Sequence, residues 1–241
     1  MPRHTLRFDL APPDHSGLDS GVLGEGYGLR IAGVDRAGDD DDAFVLFGLG
    51  AAYSFRDDLE VGAKLVPVRL SPDADYLDLE AYLRWAFLAA RDVDIGLQVV
   101  VQFPTNQPRI FGTSAGIPMV FRLGGVARLE VAPEIEFTLW DADGDDDTEV
   151  FVSFDLPVAL SFSVTERFYL GGTFGLYAFD FDRVDVRGGG HVGYSVGSGR
   201  PLVDIVGTVT VHGRRANRFG FLYGTGLRWE LSGGIRMFLG V

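Results

Sequence analysis

The chain has no cysteine and few basic residues. Without cysteine, the sequence excludes a disulfide framework and any site that depends on a thiolate. Its 241 residues include 21 lysines and arginines against 34 aspartates and glutamates, so the net charge is −13. A chain this acidic lacks the cationic surface that binds a phosphate backbone, and we expect no nucleic-acid partner.

Long hydrophobic runs are also absent. A membrane-spanning helix needs about 18 or more consecutive apolar residues, and each apolar stretch in this chain is interrupted earlier by Arg, Asp, Glu or Gly. The first ten residues (MPRHTLRFDL) are partly basic but lack the apolar core of a secretory signal peptide. If the protein is exported, we expect the given chain to be a mature or truncated form.

The sequence instead shows alternation with a period of two, which predicts β-strands. In residues 76–89, apolar side chains such as Leu79 and Trp85 alternate with polar ones such as Glu80 and Arg84. The pattern recurs almost to the C-terminus in stretches of about 10 to 16 residues. Strands of soluble proteins are usually about 5 or 6 residues long, whereas a tilted strand that crosses a bilayer needs about 9 to 11. The lengths therefore favour a membrane wall.

Short and long connections alternate between these stretches. Short polar turns are predicted in residues 53–62, 87–96, 122–131, 162–171, 197–201 and 229–238. Longer polar connections are predicted in residues 35–42, 71–75, 104–116, 141–147, 180–183 and 213–218. Outer-membrane barrels show this asymmetry, with short periplasmic turns and longer external loops. The longest connection, 104–116, could fold inward as a constriction.

The hairpins YSFRDDLEVGAK (residues 53–64) and FSVTERFYLGG (residues 162–172) resemble those of Gram-negative outer-membrane β-barrel proteins of the porin-like or transporter-like class. The resemblance extends over roughly residues 28–241 and implies the Gram-negative outer membrane as the location and the lipid bilayer as a partner. We predict an all-β fold, a closed antiparallel up-and-down transmembrane β-barrel of about twelve strands, with ten to fourteen allowed. Residues 27–241 would form the barrel, and residues 1–26 an N-terminal segment with one short strand at residues 4–10. The alternative is a soluble β-barrel or sandwich.

Alternation also assigns the apolar side chains to the outer face. The predicted lipid-facing residues are Leu79, Trp85, Leu97, Val99, Phe137, Phe154, Leu160, Phe174 and Val209. Aromatic residues near strand ends are expected to lie at the membrane–water boundaries. These are Tyr53, Phe55, Phe87, Phe168, Phe219, Phe221, Tyr223 and Trp229. The alternative for the aromatic residues is ordinary packing in the wall.

The opposite face carries the charges and would line the lumen. Its principal members are Glu60, Lys64, Asp78, Glu80, Arg84, Asp94, Arg128, Glu130, Glu134, Glu136, Asp155, Arg187, Asp204, Arg228 and Glu230. Together with Arg122, Glu149, Arg167 and Asp185, the inward positions hold twelve acids and seven bases, so that five negative charges are in excess. We predict a passive channel or porin-like transport protein for small solutes or ions, with a mildly cation-preferring lumen.

Strand count does not decide whether the lumen is open, because twelve strands lie between the filled eight-stranded barrels and the open sixteen-stranded porins. The alternative function is a non-transporting barrel whose acidic external loops bind ions or ligands. A salt-bridged interior would then only stiffen the wall.

An enzyme is not expected, although some outer-membrane barrels are lipases. A serine hydrolase needs a serine, a histidine and an acidic partner in reach of one another. The candidates are His191 and His212 with Ser161, Ser163 or Ser195, and none lies in a nucleophile-elbow sequence. The glycines between Arg187 and His191 do not form a phosphate loop, and we expect them to relieve crowding.

The aspartates at positions 141, 143, 145 and 147 alternate within one polar loop. Their spacing resembles the oxygen-rich loops that bind Ca²⁺, although the complete EF-hand pattern is absent. We predict that Asp141, Asp143, Asp145 and Asp147 bind a divalent cation weakly at the external mouth; the alternative is a solvated acidic loop. Titration calorimetry at millimolar Ca²⁺ should detect a binding heat, and its absence would contradict the site. No other cofactor is expected.

Overall fold

The computed structural model describes residues 5–10, 29–35, 43–56, 58–71, 75–104, 109–124, 126–141, 148–181, 183–196, 202–212, 215–217, 222–223 and 227–240. Within these ranges the regular elements are β-strands, and no helix is long and apolar enough to cross a membrane. The strands of the first half are β1 (Thr5–Leu10), β2 (Leu29–Asp35), β3 (Ala43–Arg56), β4 (Leu59–Ser71), β5 (Asp75–Ala89), β6 (Val93–Pro104), β7 (Arg109–Gly116), β8 (Met119–Leu123) and β9 (Ala127–Val131). Those of the second half are β10 (Glu134–Asp141), β11 (Thr148–Ser163), β12 (Phe168–Phe179), β13 (Arg183–Val196), β14 (Leu202–His212), β15 (Arg215–Asn217), β16 (Leu222–Tyr223) and β17 (Leu227–Gly240).

These strands occupy twelve positions in one antiparallel wall. The elements β7 and β8 form one interrupted strand, because both pair with β6. Likewise, β9 and β10 form one interrupted strand, because both pair with β11. The short β15 continues the position of β14 beside β13, and β16 returns beside it.

The wall closes through β1 and β2, which share one position. Both pair with β3 on one side and with β17 on the other. Since β17 also pairs with β14, hydrogen bonding runs without a break around the ring. The prediction of a closed antiparallel up-and-down barrel of twelve strands is confirmed. The strand Thr5–Leu10, which belongs to the predicted N-terminal segment, is part of this wall.

One predicted turn is wrong. The sequence predicted a tight turn within residues 229–238, but β17 runs through them as a single strand. Ser232, Gly233 and Gly234 look like a turn in the sequence because of their small side chains. In the wall they pair in register with β14, Gly233 opposite Gly207.

The predicted loop at residues 104–116 is also largely a strand, so it is not the inward constriction that the sequence allowed. Arg109–Gly116 forms β7 between β6 and β10. Its inward positions are Gly112, Ser114 and Gly116, whose small size hides the alternation that marks the other strands. The bulky inward side chains of the two neighbouring strands occupy this space, since a Cβ atom at Gly112 would lie under 3.0 Å from Gln102.

Prolines cause the two interruptions of the wall. Pro118 separates β7 from β8, and Pro133 separates β9 from β10, because proline has no N–H to donate to the ladder. Their carbonyl groups still accept hydrogen bonds across the strands, from the N–H of Gly96 to Pro118 at 2.9 Å and of Ile117 to Pro133 at 2.9 Å. The ladder is therefore locally weakened but remains joined.

The two faces of the wall differ sharply in polarity. Along β11, buried inward residues alternate with partly exposed outward ones. Among the described side chains, the outer surface carries the large apolar groups, and the few buried apolar residues are mostly small, such as Ala52, Val100 and Ala159. All nine predicted lipid-facing residues lie on this outer surface, with Phe154 and Leu160 half-buried there. An apolar exterior around a polar interior is the distribution of a membrane barrel.

Exposed aromatic side chains lie near the short-turn end of the wall. Phe55, Phe87, Phe162 and Tyr194 are within the last three residues of their strands and are exposed. Of the predicted boundary residues, Tyr53 also lies near that end, and Phe168 begins β12. Phe219 and Phe221 lie outside the described residues, as do the side chains of Tyr223 and Trp229. The boundary role stays a prediction.

The assignment of the two faces predicts that an arginine destabilises the barrel more on the outward side of β12 than on its inward side. Phe174 points outward near the middle of β12, and its neighbour Thr173 points inward. We expect Phe174→Arg to lower the free energy of unfolding in phospholipid vesicles by roughly 2–4 kcal/mol, because the charge meets lipid. Thr173→Arg, whose charge faces the lumen, should lower it by clearly less. Equal losses in the two variants would contradict the assignment.

Candidate functional site: the inner face of the barrel

A hydrogen-bonded network joins the inner faces of β4, β5 and β6. Arg84 is the register partner of both Glu60 and Gln98. It donates to Gln98 Oε1 from Nε at 3.0 Å and from Nη2 at 2.6 Å, and its Nη1 lies 3.6 Å from Glu60 Oε1. The Tyr82 hydroxyl donates to the same Glu60 oxygen at 2.9 Å. Since Glu60, Tyr82 and Gln98 are buried, the network compensates for the loss of water around these charges.

Two further arginines are held in ion pairs on the inner face. The Nη2 atom of Arg187, on β13, lies 2.6 Å from each of the two carboxylate oxygens of Asp155 on β11. The Nε atom of Arg128, on β9, lies 2.5 Å from Oε1 of Glu130, which is two residues further along the same strand. The side chain of Glu130 is 0% exposed, so the arginine supplies the charge that makes this burial tolerable.

Glycines on the inner face let long side chains cross a neighbouring strand. Arg187 crosses over Gly175 of β12 to reach Asp155, and a Cβ atom at Gly175 would lie under 3.0 Å from it. His191 crosses over Gly171 in the same way. The arrangement recurs in the pairs Tyr82 over Gly62, Gln102 over Gly112 and Tyr169 over Gly193. The glycines thus relieve crowding inside the barrel.

Carboxylates concentrate on the inner face of β10 and β11. Glu134 and Asp155 are direct cross-strand partners, a placement in which like charges repel. The Ser114 hydroxyl donates to Glu134, and the Tyr177 hydroxyl lies 3.5 Å from Oε2 of Glu136 as its donor. Hydroxyl donors and one arginine therefore accommodate a patch whose charge is predominantly negative.

One of the predicted serine–histidine combinations is in contact. Ser161 Oγ lies 3.2 Å from Nε2 of His191, and both side chains are buried. Among the described residues, His191 Nδ1 has no hydrogen-bond partner, whereas a catalytic histidine is oriented there by an acid. Ser163 lies at the exposed end of β11, Ser195 is half-buried near the end of β13, and the side chain of His212 lies outside the described residues.

The predicted lumen residues divide into two groups. Those with described side chains lie on the inner face: Glu60, Glu80, Arg84, Asp94, Arg128, Glu130, Glu134, Glu136, Asp155 and Arg187. For the others, the structure describes the strand but not the side chain: Lys64, Asp78, Asp204, Arg228 and Glu230. The structure also pairs Asp94 with Arg122 near the short-turn end, and Gln102 Nε2 donates to Glu80 at 3.1 Å.

The predicted divalent-cation loop connects β10 to β11. Asp141 is the last residue of β10, opposite Thr148, while Asp143, Asp145 and Asp147 lie outside the described residues. Within the described part of the chain, no three acidic or histidine side chains are grouped so that they could hold a metal ion. The calcium site stays a prediction.

Three tyrosines on the inner face were missed as site residues. Tyr82, Tyr169 and Tyr177 each occupy an inward position of their strand and lie beside charged or histidine side chains. The period-two alternation carries the signal, because all three fall on the polar face. A prediction of lumen residues from charge alone overlooks a phenol whose hydroxyl donates a hydrogen bond to a carboxylate.

The side chains that cross over glycines predict different losses of stability when two adjacent glycines of β12 are replaced by alanine. A Cβ atom at the inward Gly171 would lie under 3.0 Å from the Leu160 carbonyl oxygen and from the His191 ring, whereas at the outward Gly172 the nearest atom is 3.7 Å away. We expect Gly171→Ala to lower the free energy of unfolding by about 1–3 kcal/mol through overpacking. Gly172→Ala should change it by less than about 0.5 kcal/mol. Urea unfolding in vesicles compares them, and similar values would contradict the packing.

The barrel is similar to two solved outer-membrane proteins. One is the NanC porin, with a TM-score of 0.59 and 8% sequence identity, covering 86% of this chain and 98% of that protein. The other is an outer membrane channel from Pseudomonas putida F1, with a TM-score of 0.56 and 12% identity, covering 98% of this chain and 96% of that protein. No protein-family model matches the chain, and no curated protein sequence matches it. At these identities the likeness concerns the fold, which is that of an outer-membrane β-barrel.

Proposed function

We propose that the protein is a passive channel of the Gram-negative outer membrane with a cation-preferring lumen. The barrel fold, its apolar exterior and its charged interior support this proposal. The two similar structures are described as a porin and as an outer membrane channel. Fold alone would not identify a function, because barrels of this kind serve several. The charges on the inner face provide the more specific argument.

The observation that carries the proposal is that the arginines of the described inner face are paired with carboxylates of the wall. On the inward positions of β4 to β13 with described side chains, four arginines are present: Arg84, Arg122, Arg128 and Arg187. Each forms an ion pair with a carboxylate of the wall. Nine carboxylates occupy the same set of positions: Glu60, Glu80, Asp94, Glu130, Glu134, Glu136, Glu149, Asp155 and Asp185.

Nine carboxylates minus four arginines leaves an excess of five negative charges in this part of the lumen. A low-dielectric wall concentrates the resulting potential inside the barrel rather than letting solvent screen it. Mobile cations would therefore be enriched along the inner face, and anions depleted. Rings of acidic side chains produce cation selectivity in channels by the same effect.

A second candidate is a non-transporting barrel. Several ionic groups of β4 to β9 are withdrawn from water, with Glu60 5% and Glu130 0% exposed. Such buried pairs would stiffen a closed wall as well as they would line a pore. The acidic loop between β10 and β11 would then be the functional part, binding ions outside the membrane. Planar-bilayer conductance distinguishes the candidates, since a stable unitary current supports the channel.

Selectivity can be tested at the acidic patch. We expect the double variant Glu134→Gln, Glu136→Gln to shift the reversal potential in a KCl gradient towards the non-selective value, because two lumen charges are lost. Unfolding and heat-modifiable gel mobility should be unchanged, since both glutamines retain hydrogen-bonding groups.

Glu166→Gln is the matched control for this experiment. It removes a carboxylate from the exposed turn between β11 and β12, outside the lumen, and should leave the reversal potential as it was. Anion preference of the unmodified protein would overturn the proposed selectivity. Unchanged selectivity in the double variant would show that these two glutamates do not line the conducting path.

A further inference from the structure

The described part of the inner face is unevenly exposed to water. At mid-height, most inward residues of β6 to β11 are buried, among them Val100, Ala132 and Ala159. Several inward residues of β12, β13 and β14 are partly exposed instead, although Gly175, His191, Gly193 and Val206 of these strands are buried. The partly exposed residues include Thr173, Tyr177, Gly189 and Thr208.

Small residues lie at the middle of the partly exposed region. At the middle of β12 and β13, Thr173 is the direct register partner of Gly189, and both residues point inward. Gly189 itself has no side chain that could project into the lumen. On β4 to β6, by contrast, the Glu60, Tyr82 and Arg84 network extends from the wall, and its members contact one another.

The lining of the accessible sector is mainly hydroxyl and backbone. Thr173, Thr208 and Tyr177 carry hydroxyl groups, and Gly189 exposes only its backbone. Hydroxyl groups hydrogen-bond to water in either direction, so this lining can replace part of a hydration shell without binding an ion tightly. Asp185 and Arg187 lie on the long-loop side of the same strands, where the Arg187 side chain is mostly buried in its ion pair with Asp155.

We propose that the aqueous path is eccentric and follows the inner faces of β12, β13 and β14. Gly189 sets the width of this path at mid-membrane, and Thr173 and Thr208 flank it. The path suits small hydrated cations, which keep most of their water while they pass along hydroxyl groups. This inference rests on the proposed channel function but concerns where the solute passes, so the two can fail separately.

The absence of cysteine makes single-cysteine labelling a clean test of the path. Thr173→Cys and Thr208→Cys place thiols in the accessible sector, and Val100→Cys and Ala159→Cys place them on the buried sector. In vesicles, a cationic methanethiosulfonate reagent should modify the first two at least about tenfold faster, because only the thiol that meets water ionises and reacts. Equal rates in all four variants would overturn the eccentric path.

Path width is tested by a pair of neighbouring substitutions on β13. Gly189→Phe places a ring in the proposed path, whereas Gly188→Phe places the same ring on the outer face, where a Cβ atom has its nearest neighbour at 3.8 Å. Unitary conductance should fall several-fold in Gly189→Phe and stay near the unmodified value in Gly188→Phe. An unchanged conductance in Gly189→Phe, with the protein folded by gel mobility, would overturn the role of Gly189.

The two experiments separate this inference from the proposed function. A protein that conducts but labels equally on both sectors would retain the channel function and lose the eccentric path. A protein that shows the labelling contrast but no conductance would keep the water-accessible sector and lose the channel.

Discussion

Backbone hydrogen bonding in lipid is the constraint on which this structure depends. The hydrocarbon core offers no water to an unpaired N–H or C=O, so a sheet can cross it only when its edges meet. In this protein the meeting depends on two short strands, Thr5–Leu10 and Leu29–Asp35, which together fill one wall position between β3 and β17. Once the wall is closed, strand alternation directs every second side chain to lipid and the others to the interior.

Closure also explains the packing of the interior. The polar side chains of the described inner face converge on one enclosed space, and those that are buried there must be compensated by partners. Ion pairs in this space also join strands that are not adjacent, since Arg187 of β13 contacts Asp155 of β11 across β12. Such a contact needs a glycine beneath it, and Gly175 provides one. The charged pairs and the glycines of the inner face are therefore one arrangement.

In the proposed channel, the same arrangement divides the described part of the lumen into a filled sector and an accessible one. Long side chains held by hydrogen bonds cover the inner face of β4 to β6. Threonines and Gly189 line the other sector and are partly exposed there. Arginines tied to carboxylates would not attract anions as free ones would, so that in the proposed channel the surplus carboxylates would determine the sign of the potential. Under this proposal, width and charge selectivity arise in different parts of the wall.

The amino-acid sequence by itself determined the β-class, the outward apolar face and the strand count. These depend on side-chain period and strand length, which are local properties that a single stretch such as residues 76–89 already displays. The local pattern was misleading at β7 and at Ser232–Gly234, because glycine and serine resemble turn residues in a sequence. At Gly112 of β7, the side chain of Gln102 fills the space that the glycine leaves. Tertiary structure alone decided that Ser161 meets His191 and that Arg187 meets Asp155. Both contacts join strands that are not adjacent in the wall, and they depend on the register of three strands at once, which no single segment encodes.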